Sequence, residues 1–188
     1  MLLRASNVTL ALVLCFSLPL STRPVAPSTP TAKRPPKVDR YLQQYRYLAL
    51  QLYEERRIPM AVTFAVAGIE TDWGQSHLAN ASNNHFGIKS YNWDGAVFCT
   101  FTTEWQDDGG FLPVKACFRK YPLIATSYRD FGRFIADRPR YRPAFHFSRR
   151  DYREWAWQIQ RAGYATDPFY ARKLLRVIEE YQLYRLDL

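Results

Sequence analysis

The sequence predicts an α+β fold that is mostly α, with one β-hairpin, and three observations support this class. Its 188 residues are 47% hydrophobic and 23% charged, the composition of a globular domain large enough to bury a core. Apolar residues recur at helical spacing through most of the chain after residue 38. Segments 96–105 and 111–118 are rich in Val, Thr and aromatic residues and flank a Gln-Asp-Asp-Gly-Gly turn, which predicts two antiparallel strands.

The helices are predicted in order from residue 39. Apolar residues at 41, 45, 48 and 52 indicate an amphipathic helix at 39–57. Pro59 suits the first position of a second helix, and because segment 60–69 is apolar on nearly every side, this helix is expected to be buried. Asp167 and Pro168 predict the N-cap and first turn of the last helix, which runs to about residue 181. The remaining two helices are predicted at 124–137 and 151–161.

The first 38 residues are predicted to lie outside the folded domain, which occupies 39–188. Residues 1–21 combine a basic start with an apolar run at 8–20. This run is shorter than the roughly 20 residues that span a bilayer, so it indicates a signal peptide or a membrane anchor. Residues 22–38 contain five prolines and four basic residues and predict an extended linker. The domain is therefore expected in the periplasm, the cell envelope or outside the cell.

The net charge of +9 is unevenly distributed. Residues 1–38 hold five Lys or Arg and no acidic residue, whereas residues 39–188 hold 21 Lys or Arg and 17 Asp or Glu. A domain with this balance is disfavoured as a nucleic-acid-binding protein. The three cysteines and three histidines lack the paired spacing of a zinc site. The sequence implies no metal, no cofactor and no particular oligomeric state.

Glu70 is the residue most informative about chemistry, because it is the first acidic residue of the buried apolar helix. Apolar surroundings disfavour the ionised carboxylate and raise the pKa of the carboxyl group. A carboxylic acid that is still protonated near neutral pH is what general-acid cleavage of a glycosidic bond requires. A helix-end glutamate in contact with solvent is the alternative interpretation.

Five segments that begin at Glu70 carry a resemblance to a known family. They read ETDWGQSHLA at 70–79, SNNHFGIK at 82–89, CFRKYP at 117–122, RPRY at 138–141 and AGYATDPFYA at 162–171. Each motif is weak by itself, but five in this order resemble the glucosaminidase domains of glycoside hydrolase family 73. The resemblance covers about residues 41–187, essentially the whole predicted domain.

The resemblance implies a lysozyme-like helical domain in which the hairpin flanks an active-site cleft. It implies hydrolysis of the β-1,4 bond between N-acetylglucosamine and N-acetylmuramic acid in peptidoglycan, with Glu70 as the general acid. The family has a second acidic residue on the hairpin, and Glu104 matches its Thr-Glu-aromatic pattern; Asp107 and Asp108 are the competing candidates. Glu104 would activate water or stabilise the oxocarbenium-like charge, or it is instead a solvent-facing strand residue.

The resemblance also suggests residues that contact the glycan. Tyr164 matches a tyrosine that lies beside the catalytic glutamate in the family, where its hydroxyl would position the N-acetyl group or the water. A core tyrosine is the alternative. The other expected substrate contacts are Trp73, Asn84, Phe86, Trp105 and Tyr170. Amides can bind acetamido groups and aromatic rings can stack on sugars, but the same side chains also cap turns and fill cores.

One other mechanism and two other functions remain open from the sequence. In a substrate-assisted route the 2-acetamido oxygen attacks, and Glu104 is not needed. A muramidase or lytic transglycosylase would cut the alternate bond on the same scaffold. A non-catalytic wall-binding or assembly module would need neither Glu70 nor Glu104. The basic cluster at 138–142 fits contact with an anionic wall polymer or a solvated surface.

Cys99 and Cys117 are predicted to form a disulfide. Relatives commonly pair the cysteine at 117 with one that follows the Gly-Ile-Lys motif, where this chain has Ser90. The spacing of Cys99 and Cys117 instead centres on residue 108 in the predicted turn, so the two residues should face each other across the hairpin. Export would place them in an oxidising compartment. Two free, buried thiols are the alternative.

Overall fold

The computed structural model describes residues 34–106 and 109–188. Within them the chain forms six α-helices, two β-strands and two 3₁₀ helices. The elements are α1 (Pro36–Arg56), α2 (Met60–Thr71), α3 (His77–Ser82), β1 (Val97–Trp105), β2 (Phe111–Arg119), α4 (Ile124–Ala136), a 3₁₀ helix (Pro139–His146), α5 (Tyr152–Arg161), α6 (Tyr170–Glu180) and a second 3₁₀ helix (Leu183–Asp187). The predicted fold class is confirmed: the domain is mostly helical and carries one antiparallel hairpin.

The predicted signal or anchor at 1–21, and most of the predicted linker, lie outside the described residues. In the part that is described, no helix is long and apolar enough to cross a membrane. Helix α1 begins at Pro36, three residues before the predicted start. The ring of Pro36 fixes a backbone angle suited to the first helical turn, so the helix takes in the last proline of the basic segment.

Helix α6 begins at Tyr170, so the predicted start at Asp167 was wrong. The carboxylate of Asp167 accepts a hydrogen bond from the backbone N–H of Phe169 at 2.8 Å. Its carbonyl accepts one from the N–H of Tyr170 at 3.1 Å. Aspartate side chains often stabilise such turns in competition with helix formation. Here Asp167 stabilises a turn, and the helix begins three residues later.

Helix α2 forms the centre of the hydrophobic core. Every residue from Met60 to Ala67 is at most 1% exposed, as its apolar sequence predicted. Pro59 provides no side-chain cap at the start of this helix. Instead the carboxylate of Asp187 accepts hydrogen bonds from the N–H groups of Met60 at 2.7 Å and Ala61 at 3.0 Å. A residue far along the chain thus satisfies two N–H groups that a helix start leaves without partners.

The hairpin is attached to the helical domain at its base and touches it again near its turn. Beside the base, the N–H of Arg119 donates to the carbonyl of Ile88 at 3.0 Å. Near the turn, the ring of Trp105 lies 5.2 Å from Phe111 and 6.0 Å from Phe169, centroid to centroid. These contacts orient the strands beside the end of α2.

Cys99 and Cys117 are directly opposite each other in the strand register and form a disulfide, at the position expected from the turn. Both residues are exposed, so the alternative of two buried thiols does not describe them. The bridge closes a short loop that contains the whole distal half of the hairpin.

Loss of this disulfide is expected to destabilise the domain. By loop-closure entropy, a loop of this length contributes about 3 kcal/mol. Replacing both Cys99 and Cys117 by Ser should therefore lower the free energy of unfolding in denaturant titrations by about that amount. Thiol alkylation of the exported, denatured and unreduced protein provides an independent check. Two reactive thiols among residues 39–188 would contradict the bridge.

Candidate active site

A cleft of about 630 Å³ opens between the hairpin and the helices. Glu70 from the end of α2, Glu104 from β1 and Tyr164 from the loop after α5 all line it. The backbone of residues 87–89 forms another part of the wall. The structure therefore brings together the three residues that sequence reasoning assigned to catalysis.

Glu70 is half-buried in the last turn of the buried helix α2. Burial raises the pKa of its carboxyl group to about 7 and outweighs three opposing effects. The hydroxyl of Tyr170 donates a hydrogen bond to Glu70 Oε1 at 2.9 Å, and the charges of Lys173 and Lys89 also favour the carboxylate. Near neutral pH a substantial fraction of Glu70 therefore still carries its proton.

Gly87 packs its backbone directly against the other oxygen of this carboxyl group. A Cβ at residue 87 would lie 2.6 Å from Glu70 Oε2, well inside van der Waals contact. The backbone φ of Gly87 is also positive, at 59°, which side chains disfavour. Both the close contact and the positive φ require glycine at position 87, where the backbone packs against the carboxyl group of Glu70.

The loop that carries Gly87 is held by Asn84. Its side-chain nitrogen donates to the carbonyls of Ile88 and Arg119, each at 2.9 Å. Its oxygen accepts from the N–H groups of Phe86 at 3.3 Å and Ile88 at 3.1 Å. Asn84 is fully buried, so the prediction that it lines the cleft was wrong: four backbone partners occupy its amide.

Three predicted substrate contacts are also packing residues. Phe86 is fully buried and stacks on Phe131 with ring centroids 4.1 Å apart. Trp73 is 7% exposed and packs so closely on Gly68 that a Cβ there would lie 2.7 Å from its ring. Trp105 lies at the end of the hairpin against aromatic neighbours. None of the three lines the cleft, because each ring is used to fix an element that bounds it.

The two tyrosines differ from their predicted roles. Tyr170, expected to bind substrate, contacts the acid directly and is 3% exposed. Tyr164 lines the cleft, but its hydroxyl donates to the carbonyl of Phe86 at 2.6 Å. The two rings stack with centroids 5.7 Å apart. Tyr164 thus holds the loop in which the next residue, Gly87, packs against Glu70. The contact between Tyr170 and Glu70 joins residues 100 positions apart, so no local sequence pattern indicates it.

Glu104 forms an ion pair with the ammonium group of Lys89 across the cleft wall. Both side chains are only about a quarter exposed, 22% for Glu104 and 27% for Lys89. Lys89 belongs to the Gly-Ile-Lys motif, but sequence reasoning gave it no role. The competing candidates Asp107 and Asp108 lie outside the described residues. The pair gives the hairpin carboxyl group a fixed position beside the wall formed by residues 87–89.

Lysozyme-like glycoside hydrolases combine a helical domain, a cleft walled by a hairpin and a carboxylic acid that stays protonated near neutral pH. This chain has all three features, and its fold and cleft place it in that class. Residues 46–183 match a glucosaminidase family described as mannosyl-glycoprotein endo-beta-N-acetylglucosaminidase. The chain belongs to this family.

Known proteins from two bacteria are similar to the chain in sequence. The peptidoglycan hydrolase FlgJ of Vibrio parahaemolyticus is 43% identical over 123 residues, which cover 62% of the chain and 39% of FlgJ. The exo-glucosaminidase LytG of Bacillus subtilis is 35% identical over 141 residues, which cover 72% of the chain and 49% of LytG. The chain thus spans less than half the length of either relative.

The fold also matches a solved structure of a peptidoglycan hydrolase mutant from Sphingomonas sp. A1. The TM-score is 0.69 at 30% sequence identity, and the match covers 78% of this chain and 96% of that one. The likeness therefore extends over nearly the whole of the Sphingomonas chain and is not confined to the motifs around Glu70.

Proposed function

We propose that the chain is an endo-β-N-acetylglucosaminidase that hydrolyses the β-1,4 bond between N-acetylglucosamine and N-acetylmuramic acid in peptidoglycan. The observation that carries the proposal is the carboxyl group of Glu70, held at the cleft by Tyr170 and Gly87. Membership of the glucosaminidase family supports the choice of bond. Relatives named peptidoglycan hydrolase and exo-glucosaminidase support the choice of polymer.

In this mechanism Glu70 protonates the leaving oxygen of the glycosidic bond. The raised pKa of Glu70 makes the proton available near neutral pH. Glu104, held by Lys89, activates the attacking water or stabilises the positive charge that develops on the sugar. Tyr170 keeps the carboxyl group of Glu70 in one orientation through its hydrogen bond. Tyr164 and Gly87 act indirectly: they fix the loop that forms the cleft wall against Glu70.

Digestion of purified sacculi tests the proposal against its rivals. The full chain should clear a peptidoglycan zymogram, and mass spectrometry of the products should find new reducing ends at N-acetylglucosamine. Reducing N-acetylmuramic acid would indicate a muramidase, and anhydro-muramic ends a lytic transglycosylase. Release of only terminal sugars would indicate an exo-enzyme. A folded protein that binds sacculi without cutting them would be a non-catalytic wall-binding module.

The rate of cleavage is expected to fall as the pH rises through about 7. Glu70 must be protonated to act as an acid, and burial raises its pKa to about 7. Above that pH the protonated fraction decreases about tenfold for each pH unit. Measurement of kcat/KM on soluble glycan strands between pH 5 and 9 checks this. A rate that rises steadily to pH 9 would exclude Glu70 as the acid.

Replacing Glu104 by Gln is expected to reduce kcat about a hundredfold, the scale of general-base catalysis. The amide keeps the size of the side chain and removes its negative charge. The exposed Glu55 on α1 offers a matched control, since Glu55→Gln should leave kcat unchanged. A loss smaller than tenfold at Glu104 would favour attack by the 2-acetamido oxygen, which needs no second carboxyl group.

The segments ahead of the domain belong to the same proposal. We infer that residues 1–21 direct export or anchor the chain, that 22–38 form a basic linker and that catalysis resides in 39–188. Such an arrangement would hold the enzyme in the cell envelope or release it outside the cell. Cell fractionation followed by N-terminal sequencing of the mature protein distinguishes an anchor that is retained from a signal that is removed.

A further inference from the structure

One end of the cleft is formed by two arginines stacked on an aromatic ring. Arg138 and Arg140 both line the cleft, and so does Phe134 of α4. The guanidinium carbon of Arg138 lies 3.7 Å from the centroid of the Phe134 ring, and that of Arg140 lies 5.6 Å from it. Arg140 also donates a hydrogen bond to the hydroxyl of Tyr141 at 3.1 Å. Stacking of this kind restricts a guanidinium group to one plane.

Neither arginine has a carboxylate within 4.0 Å in the described part of the chain. The acidic residue Asp130 is engaged elsewhere: it accepts from Arg119 and Tyr121, each at 2.7 Å. Burial and the positive charges of Arg140 and Arg119 together lower the pKa of Arg138. Two neighbouring cations therefore line the cleft without a directly paired carboxylate among the described residues, an arrangement that can attract negative ligands.

We propose that Arg138 and Arg140 form a subsite for a carboxylate carried by the glycan substrate. A planar guanidinium group binds a carboxylate through two parallel hydrogen bonds. The inference rests on the proposed function, because it names the substituent that the same cleft recognises. In peptidoglycan the carboxylate has two sources: the lactyl group of muramic acid where the peptide has been removed, and the stem peptide where it is present.

Three forms of the same glycan separate these sources. Strands stripped of peptide by an amidase carry free lactyl carboxylates. The same strands treated with methylamine and a carbodiimide carry neutral methylamides at those positions. Untreated soluble strands carry carboxylates only on their peptides. Binding is measured in a Glu70→Gln background, so that the affinity of each form is obtained whether or not cleavage occurs, and kcat/KM is measured with Glu70 intact.

The variants are Arg138→Gln, Arg140→Gln, the double variant and Arg142→Gln as a control. Arg142 belongs to the same 3₁₀ helix as Arg140 but is exposed and outside the cleft lining. We expect the double variant to lose about tenfold to a hundredfold in affinity and kcat/KM on carboxylate-bearing strands, the scale of a charge-assisted pair. It should equal the parent on methylamide strands, and Arg142→Gln should equal the parent on all three. Lysine at both positions should restore part of the loss.

A loss of equal size on charged and methylamide strands, or no loss on any, would overturn the subsite. A loss confined to stripped strands assigns the lactyl carboxylate, and one confined to untreated strands assigns the peptide. Circular dichroism and thermal unfolding show whether each variant is folded. If a glutamine variant is not folded, the lysine variant at the same position is tested in its place. Failure of the proposed function appears differently, as a folded parent protein that cuts none of the three forms.

Discussion

Replacing Glu70 by Gln is expected to reduce peptidoglycan cleavage by at least a hundredfold, which is the lower range for loss of a general acid. Glutamine keeps the shape of the side chain, and its oxygen can still accept the hydrogen bond from Tyr170. The variant has no proton to give to the leaving oxygen. Cleavage rates on soluble strands measure the effect, and normal digestion by the variant would show that Glu70 is not the acid.

The stability of the same variant provides a second readout. Since burial raises the pKa of Glu70 above its ordinary value of 4.5 to about 7, the native state binds more protons than the unfolded state between these pH values. The free energy of unfolding therefore decreases as the pH rises through this window. Glu70→Gln should lack this decrease, so denaturant titrations at pH 4.5 and pH 8 should differ less for the variant than for the parent.

Replacing Gly87 by Ala is expected to lower kcat by about a hundredfold. The new methyl group would lie 2.6 Å from Glu70 Oε2, so the carboxyl group or the loop must move. A displacement of about 1 Å at a catalytic group can cost roughly a hundredfold in rate. Gly87 itself has no side chain that could take part in the reaction. A change in kcat on soluble strands therefore measures how strictly Glu70 must be positioned.

Gly109→Ala is the matched control for this prediction. Gly109 also has a positive φ, 97°, but a Cβ there would meet no atom of the described residues within 4 Å. The Gly109→Ala variant therefore has the same kind of backbone strain as Gly87→Ala but makes no new contact with Glu70. If both variants lose activity equally, backbone strain explains the effect and the packing of Gly87 on Glu70 does not.

Local patterns were sufficient to predict α2, the hairpin and the position of Glu70. The apolar run before Glu70 requires burial wherever the helix packs, so the environment of its carboxyl group could be inferred without coordinates. The turn at 106–110 specified the strand register and therefore the pairing of Cys99 with Cys117. In each case the interaction is determined by residues close together in the sequence.

The rest of the site depends on contacts between distant segments. The side chain of an asparagine such as Asn84 can bind an acetamido group or backbone atoms of the protein. Its role here depends on the packing of the distant residue Arg119, whose carbonyl accepts a hydrogen bond from it, and on the local fold at Ile88. Tyr170 and Glu70 meet across 100 positions, and Lys89 meets Glu104 across the cleft wall. Helix α3 has only six residues, too few for a helical period to stand out.

The cap that Asp187 provides for α2 can form only late in the synthesis of the chain. The capping bond joins residues 127 positions apart, and contacts of such separation require closure of a long loop. A chain made from its N-terminus exposes Glu70 well before Asp187 has been synthesised. Until the second 3₁₀ helix docks, the helix that carries Glu70 starts with the N–H groups of Met60 and Ala61 uncapped. A chain that ends before residue 187 would therefore carry Glu70 on a helix whose first turn lacks this cap.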